Sequence, residues 1–327
     1  MIFTCKNCNG NVVYDPKLGS MYCPYCGGTE TQEVRPDTGV VLCRNCNAEL
    51  KAGPYTSAMI CPACGTGVVF DERTVGEMRP NKIIPFKVDR PTAIDLIKKH
   101  IQKRIFTPDT FILDENLRKL KGTYVPFWMY DFDSHLEYKA TGTKVRSWTS
   151  GNYRYTETST YSIERNMDFT FFDVPADASI AQDDERMDLM EPFDYGGLVD
   201  FQEKYMAGFN GEIPSVTADI SRPRVEAKAS SSAIAYVRES LSGYTSVTNE
   251  RSTFKIDPIA TDMDMIPVWE YEVPYKDKNY RFHINGQTGK IVGETPIALS
   301  RVLGFSGFMF GSLVLIAWAV IGFLTGV

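Results

Sequence analysis

The sequence has no cysteine after position 64 and only three histidines, His100, His135 and His283. None of the histidines stands in H-E-x-x-H or beside a candidate nucleophile, so the common routes to nucleophilic and metal catalysis have no visible starting point. Neither G-x4-G-K-[ST] nor G-x-G-x-x-G occurs, and with them goes the usual cradle for nucleotide phosphates. A non-enzymatic protein is therefore expected. Basic charge is also short: 35 Lys/Arg face 41 Asp/Glu, a net charge of −6. Residues 1–80 carry seven basic and eight acidic side chains, and residues 81–301 a net of −5. A nucleic-acid footprint needs Lys/Arg clustered on one face, so nucleic-acid binding is the secondary reading. Met1-Ile2-Phe3-Thr4-Cys5 has neither a charged lead nor an apolar run, and a secretory leader is not expected.

All eight cysteines lie at the front. Cys5-x2-Cys8, fourteen residues and Cys23-x2-Cys26 are followed by Cys43-x2-Cys46, fourteen residues and Cys61-x2-Cys64. Each cysteine is displaced by 38 positions from its counterpart, as are Asn7/Asn45, Met21/Met59, Pro24/Pro62 and Gly27/Gly65. This is a tandem repeat. Two C-x2-C turns at such a separation predict a four-thiolate zinc site in each repeat, with Cys5, Cys8, Cys23 and Cys26 on one ion and Cys43, Cys46, Cys61 and Cys64 on the other. A crossed pairing between repeats is the alternative.

In Cys23-Pro24-Tyr25-Cys26-Gly27 and Cys61-Pro62-Ala63-Cys64-Gly65 the proline presets φ. The glycine admits φ > 0, so that backbone N–H groups can turn toward sulfur. Disulfides fit poorly with the missing leader, and a redox C-x-x-C would be single and beside a βαβ unit. Iron, which rubredoxin-like knuckles of the same form hold, ranks behind zinc. Four sulfur ligands leave no open position, so the two ions are expected to be structural. A 38-residue unit is too small to hold a core alone, and bound zinc supplies on the order of 10–16 kcal/mol per site. The expected units are a first ribbon over residues 1–38 and a second over 39–79, with turn chemistry at 35–39 and a linker over 71–82.

Residues 80–300 predict an α+β body. A strand over 83–88 precedes a helix over 89–103, capped by Asp89 or Thr92, with Ile94, Ile97 and Ile101 on one face. Residues 143–149 and 153–163 around Ser150-Gly151-Asn152 read as a hairpin. A strand over 167–174 is expected to stop at Pro175, the acidic run over 176–191 to be an exposed loop, and 200–207 and 224–241 to be helical. Pro126-x-Trp128-x-Tyr130 matches Pro267-x-Trp269-x-Tyr271 at an offset of 141, and Ala93-Ile94 matches Ala233-Ile234 at 140. The expectation is two related subdomains, over about 80–175 and 220–295, each packing a helix on an antiparallel sheet. The helix-plus-hairpin pattern is similar to small PepSY or cystatin-like modules.

Residues 302–327 contain no Asp, Glu, Lys, Arg or His. About 20 helical residues cross a ~30 Å hydrocarbon core, so 302–325 is expected to be a transmembrane helix. Lys290 and Arg301 flank it on the N-terminal side only, which places the body in the cytoplasm and makes the chain tail-anchored, single-pass, in the cell membrane. Gly307-x3-Gly311 would let two such helices pack as a homodimer.

The tandem C-P-x-C-G ribbons, Ile83-Ile-Pro-Phe-Lys-Val-Asp89, Tyr124-Val-Pro-Phe-Trp128, Glu191-Pro-Phe-Asp-Tyr195, Pro267-Val-Trp269 and Asn285-Gly-Gln-Thr-Gly289 together resemble a Firmicutes family. Its usual label is TFIIB-type zinc ribbon-containing protein, sometimes primosomal helicase-like. No helicase motif is present. The resemblance implies a membrane-associated protein of a phage-shock-type envelope-stress system, acting with PspA-like partners, and supplies no catalytic residues. The function expected from residues and resemblance together is a membrane-anchored cytoplasmic zinc-ribbon adaptor that binds partner proteins.

Overall fold

The computed structural model of the protein describes residues 2–8, 10–34, 42–43, 45–70 and 79–325. The turn expected at 35–39, and most of the linker expected over 71–82, lie outside those residues. In the first ribbon β1 (Ile2–Cys5) pairs antiparallel with β4 (Thr31–Val34), and β2 (Val13–Asp15) with β3 (Ser20–Tyr22). In the second, β5 (Thr56–Ile60) pairs antiparallel with β6 (Gly67–Val69).

The body follows as β7 (Lys82–Ile83), α1 (Arg90–Gln102), α2 (Asp114–Leu117), β8 (Lys121–Ser150) and β9 (Tyr153–Asp177). Next come α3 (Asp184–Met190), β10 (Val199–Asp200), β11 (Asn210–Glu212), α4 (Ala218–Glu239), β12 (Ser246–Tyr275), β13 (Lys278–Asn285) and β14 (Ile291–Gly293). The chain closes with α5 (Leu299–Thr325). The class is α+β, as the alternation of helix and antiparallel strand patterns implies.

Ten strands form one sheet. Its path runs β10-β7-β12-β8-β11-β5-β6, with β9 on β8, β13 on β12 and β14 on β13. The spine is the antiparallel pair β8–β12, which runs from Lys121↔Glu270 to Thr143↔Ser246 with register shifts between Pro258 and Ala260 and between Thr248 and Arg251. The two P-x-W-x-Y segments lie on the two strands of that spine but staggered along it, with Pro126, Trp128 and Tyr130 opposite Met265, Met263 and Thr261, and Pro267 and Trp269 opposite Tyr124 and Gly122. Each half is a helix followed by a hairpin: α1 then β8–β9, and α4 then β12–β13. The buried stripe Ala93-Ile97-Ile101 of α1 recurs at the same offset of 140 as Ala233-Val237-Leu241 around the end of α4. Shared backbone hydrogen bonds fuse the halves into one sheet.

Four local expectations change. β9 does not stop at Pro175 but runs to Asp177, opposite Phe127. It is an edge strand, where a missing N–H costs no ladder bond. The strand over 83–88 shrinks to Lys82–Ile83, because the Phe86 amide donates to the Tyr124 hydroxyl (3.2 Å) and those of Lys87 and Val88 to the Gly286 carbonyl (2.9 and 2.8 Å). Only Glu203–Met206 of 200–207 is helical, a single 3-10 turn, since Phe201 already bonds Asn81 and 210–212 must reach the sheet.

The acidic run is not an exposed loop. It contains α3, and α4 neutralises it: Arg224 meets Asp177 at 2.6 Å and Asp184 at 2.7 Å, and Lys228 meets Asp188 at 2.7 Å and Glu191 at 2.9 Å. Met187 and Met190 of α3 pack with Phe127 and Val268 on the sheet face opposite α1. Burial raises the Asp177 carboxyl above its ordinary range even though Arg224 pulls it down.

Of α5, Leu299–Trp318 is long and apolar enough to cross a bilayer, and none of it is buried against the body. Its root is fixed: the Ala298 amide donates to the Phe106 carbonyl (2.8 Å), Arg301 donates to the Ile105 carbonyl (3.2 Å) and pairs with Asp109, and the Phe305 ring meets Phe106 edge-on.

Candidate metal centres

The structure gathers the cysteines within repeats, not across them. The sulfurs of Cys5, Cys8, Cys23 and Cys26 lie within 4.8 Å of one another, as do those of Cys43, Cys46, Cys61 and Cys64. Contacts of 3.5 Å (Cys5–Cys26), 3.6 Å (Cys8–Cys23), 3.5 Å (Cys43–Cys64) and 3.7 Å (Cys46–Cys61) are far too long for disulfides. They match the ~3.8 Å edge of a tetrahedron built on ~2.3 Å metal–sulfur bonds. Donor number, donor type and spacing therefore fit one tetrahedral ion per quartet.

The knuckles are made by local backbone chemistry. The Gly27 amide donates to the Cys23 carbonyl and that of Gly65 to the Cys61 carbonyl, both at 2.9 Å, and the two glycines have φ of +74° and +77°. In the 43–46 knuckle Asn47 takes this place at φ +56°, with its amide on the Cys43 carbonyl. Asparagine is among the few non-glycine residues that enter this region. The equivalent position 9 lies outside the described residues.

The sulfurs compete for charge. Burial works against a Cys23 thiolate, but the backbone N–H groups of Cys26 and Tyr25 and the Cys8 thiol outweigh it and bring the group to about 7. Burial likewise opposes the Cys64 thiolate, and Thr66 and the Asn45 side chain bring it down to about 6. In the same quartets Cys26 rises to about 12 against its Gly28 N–H, because the neighbouring sulfurs hold its proton. Cys43 also rises to about 12, through burial. Four sulfurs cannot all ionise together unless a cation sits among them, and a divalent ion would do that here.

The two quartets meet the body differently. Phe3, Val12, Tyr14 and Met21 of the first ribbon, with Cys5 and Cys23, belong to the main core beside Phe86, Tyr124 and Trp269. Tyr14 packs edge-on to Tyr205 at 5.2 Å, and its amide donates to the Ala207 carbonyl at 3.0 Å. The second ribbon keeps its own small cluster of Cys43, Leu50, Cys61, Val68 and Phe70. It joins the body mainly along its strands: β5 pairs with β11, Ala58 opposite Gly211 and Thr56 opposite Glu212, the Ser57 hydroxyl donates to the Glu212 carbonyl at 2.9 Å, and only Ala58 and Val69 reach the main core.

Of the histidines, His100 lies on α1, while His135 on β8 bonds Asp168 at 2.6 Å in an exposed pair. His283 on β13 is 4% exposed and lines a cleft of about 690 Å³ with Glu212 and Glu270. Glu212, Glu270 and Gln182, which meets both, gave no sequence signal, because they come from three separate segments.

Two four-cysteine knuckle sites on an α+β body, followed by an apolar helix, define a tandem zinc-ribbon-like protein with a candidate membrane span. The chain is 33% identical over 322 residues to a protein of Bacillus subtilis (strain 168) described as uncharacterized protein YdjG, an alignment that covers 95% of this chain and 94% of that one. It belongs to the same family as YdjG. No family model matches the chain, and no solved structure matches it.

Proposed function

We infer that the protein is a membrane-anchored, non-enzymatic adaptor. Two structural zinc ions hold its ribbons, its body faces the cytoplasm, and the ribbons present a surface to a protein partner. Zinc is favoured over iron by the all-thiolate tetrahedral donor set with no open position. The observation that carries the reading is the docking of both ribbons on the body with their knuckle tips outward. Cys8, Cys26 and Cys46 are exposed, and Tyr25 at the tip of the first ribbon is 72% exposed. A metal that only stabilised a core would not need to hold an aromatic side chain into solvent.

The acidic balance of residues 1–80, about −5 with two zinc ions bound, speaks against a nucleic-acid partner. The family resemblance points instead to a PspA-like partner in envelope stress. The test is co-purification of a PspA-like protein of the same host with the detergent-solubilised full chain. Capture should fall on chelation and in Tyr25→Ala. Capture that persists through both removes the ribbons from the contact, and strong, salt-sensitive binding of DNA or RNA by the full chain would restore the nucleic-acid reading.

A further inference from the structure

A second site lies on the body, independent of the adaptor reading. Lys121, Glu270 and His283 stand in register across β8, β12 and β13, so their side chains share one face of the sheet. Glu272 and Arg281 form the next row. Glu212 of β11 and the loop at Ala181-Gln182 close the cleft of about 690 Å³ over that face, and Lys119, Lys121 and Arg281 are exposed at its lip.

The inner wall has an excess of acceptors. The Gln182 side-chain amide is shared between the two carboxylates, donating to Glu212 at 3.0 Å and Glu270 at 2.8 Å. The other Glu270 oxygen takes the Thr123 hydroxyl at 2.7 Å. Among the described residues neither glutamate has a Lys, Arg or His partner within 4.0 Å, whereas Asp177, Asp188 and Glu191 nearby all do. Burial raises the Glu212 carboxyl, and the Glu270 charge adds to it. His283 Nδ1 is buried with no hydrogen-bond partner. Burial also favours the neutral imidazole, which has a free lone pair on one nitrogen.

Two partly buried carboxylates with hydrogen bonds but no cationic partner, beside an imidazole nitrogen with no partner at all, are costly unless a donor-rich cation completes them. Among the described residues only the two cysteine quartets bring three or more metal-ligating atoms within 4.8 Å, so the wall is too open for a single metal ion. It suits an ammonium group, whose three N–H donors diverge. We propose that the cleft walled by Glu212, Glu270 and His283 binds a small zwitterion, its ammonium group among these acceptors and its anionic group at the Lys119, Lys121 and Arg281 lip.

The test uses metal-loaded full chain in detergent. The probes are β-alanine, γ-aminobutyrate and phosphoethanolamine, with propylamine and butyrate as single-charge controls, followed by saturation-transfer NMR and titration calorimetry. At least one zwitterion should bind. Its Kd should rise about tenfold or more in Glu270→Gln and in Glu212→Gln, since each removes a charged acceptor while keeping an oxygen for Gln182. Lys121→Gln, at an exposed lip position that leaves the fold intact, should weaken the zwitterion but not propylamine. The proposal is overturned if no zwitterion binds, if either control binds as tightly, or if both glutamine variants bind unchanged.

Discussion

The two ribbons carry the same cysteine spacing, yet the first is wedged into the main core while the second extends the sheet edge and lends that core only Ala58 and Val69. The repeat shows why. Tyr14, which is 6% exposed and plugs against Tyr205, has Ala52 as its counterpart 38 residues on. Lys17, which reaches Asp89 at the start of α1, has the exposed Tyr55. Val12 and Leu50, by contrast, are both buried, one in the shared core and the other in the private cluster. Metal ligation is set by the knuckle, which the duplication preserved, and attachment by the residues between knuckles, which diverged. The first ribbon, with six side chains in the shared core, couples its metal closely to the body; the second, with two there and its own cluster besides, couples its metal less.

The strongest way to break this contrast is to remove equivalent ligands. Cys23→Ser and Cys61→Ser, 38 residues apart and both buried, should each lower the metal content from two ions to one. Cys23→Ser should lower the melting temperature of the main calorimetric transition more than Cys61→Ser, because the first ribbon places Phe3, Cys5, Val12, Tyr14, Met21 and Cys23 in the main core and the second only Ala58 and Val69. Two ions retained in Cys23→Ser would refute the quartet assignment. Equal losses of melting temperature would erase the distinction between ribbons.

Next in size are the packing residues. Tyr14→Ala gives the first ribbon the side chain that the second has at Ala52. It should cost about 3 kcal/mol in the main denaturant transition, as truncation of a buried aromatic does. Leu50→Ala removes a comparable apolar side chain from the private cluster. It should speed metal release from one site, followed with a chromogenic chelator, and leave the main transition nearly in place. If Leu50→Ala shifts that transition as far as Tyr14→Ala, the second ribbon is as deeply coupled as the first.

The same contrast explains what could be read from residues alone. The quartets were legible, since a fixed period of 38 and the C-P-x-C-G turns specify a local geometry. α1 was legible too: Asp89 accepts the Thr92 amide at 3.2 Å, as its cap position implies, and Ile97 and Ile101 are buried. The charge-free run over 302–325 falls on an apolar helix, of which Leu299–Trp318 has no part buried. What escaped depends on distant partners. Residues 176–191 read as solvated because Arg224 and Lys228, which neutralise them, arrive some 40 residues later on another helix. Phe3, Val12 and Tyr14 gave no sign of a shared core, because the body surface that receives them comes from residues near 86, 124 and 205. The cleft residues carry no local pattern at all.

The smallest expected effect isolates the electrostatic part of the first ribbon's attachment. Lys17 Nζ lies 2.8 Å from Asp89, which also caps α1. Burial raises the Asp89 carboxyl, but Lys17 and the Thr92 hydroxyl and amide more than offset it and hold the group below its ordinary range. A depressed carboxylate contributes stability that is present above its unfolded pKa and lost as pH falls through the folded one. Lys17→Met should therefore melt slightly below the parent at pH 7, and the gap should close between about pH 5 and 2. High salt should close it too, since Lys17 is exposed. Tyr55→Phe at the equivalent place in the second ribbon should show no pH-dependent gap, because a tyrosine carries no charge to pair with a carboxylate in this range. A gap for Lys17→Met that stays constant with pH and salt would mean that the lysine stem, not its charge, holds the first ribbon to α1.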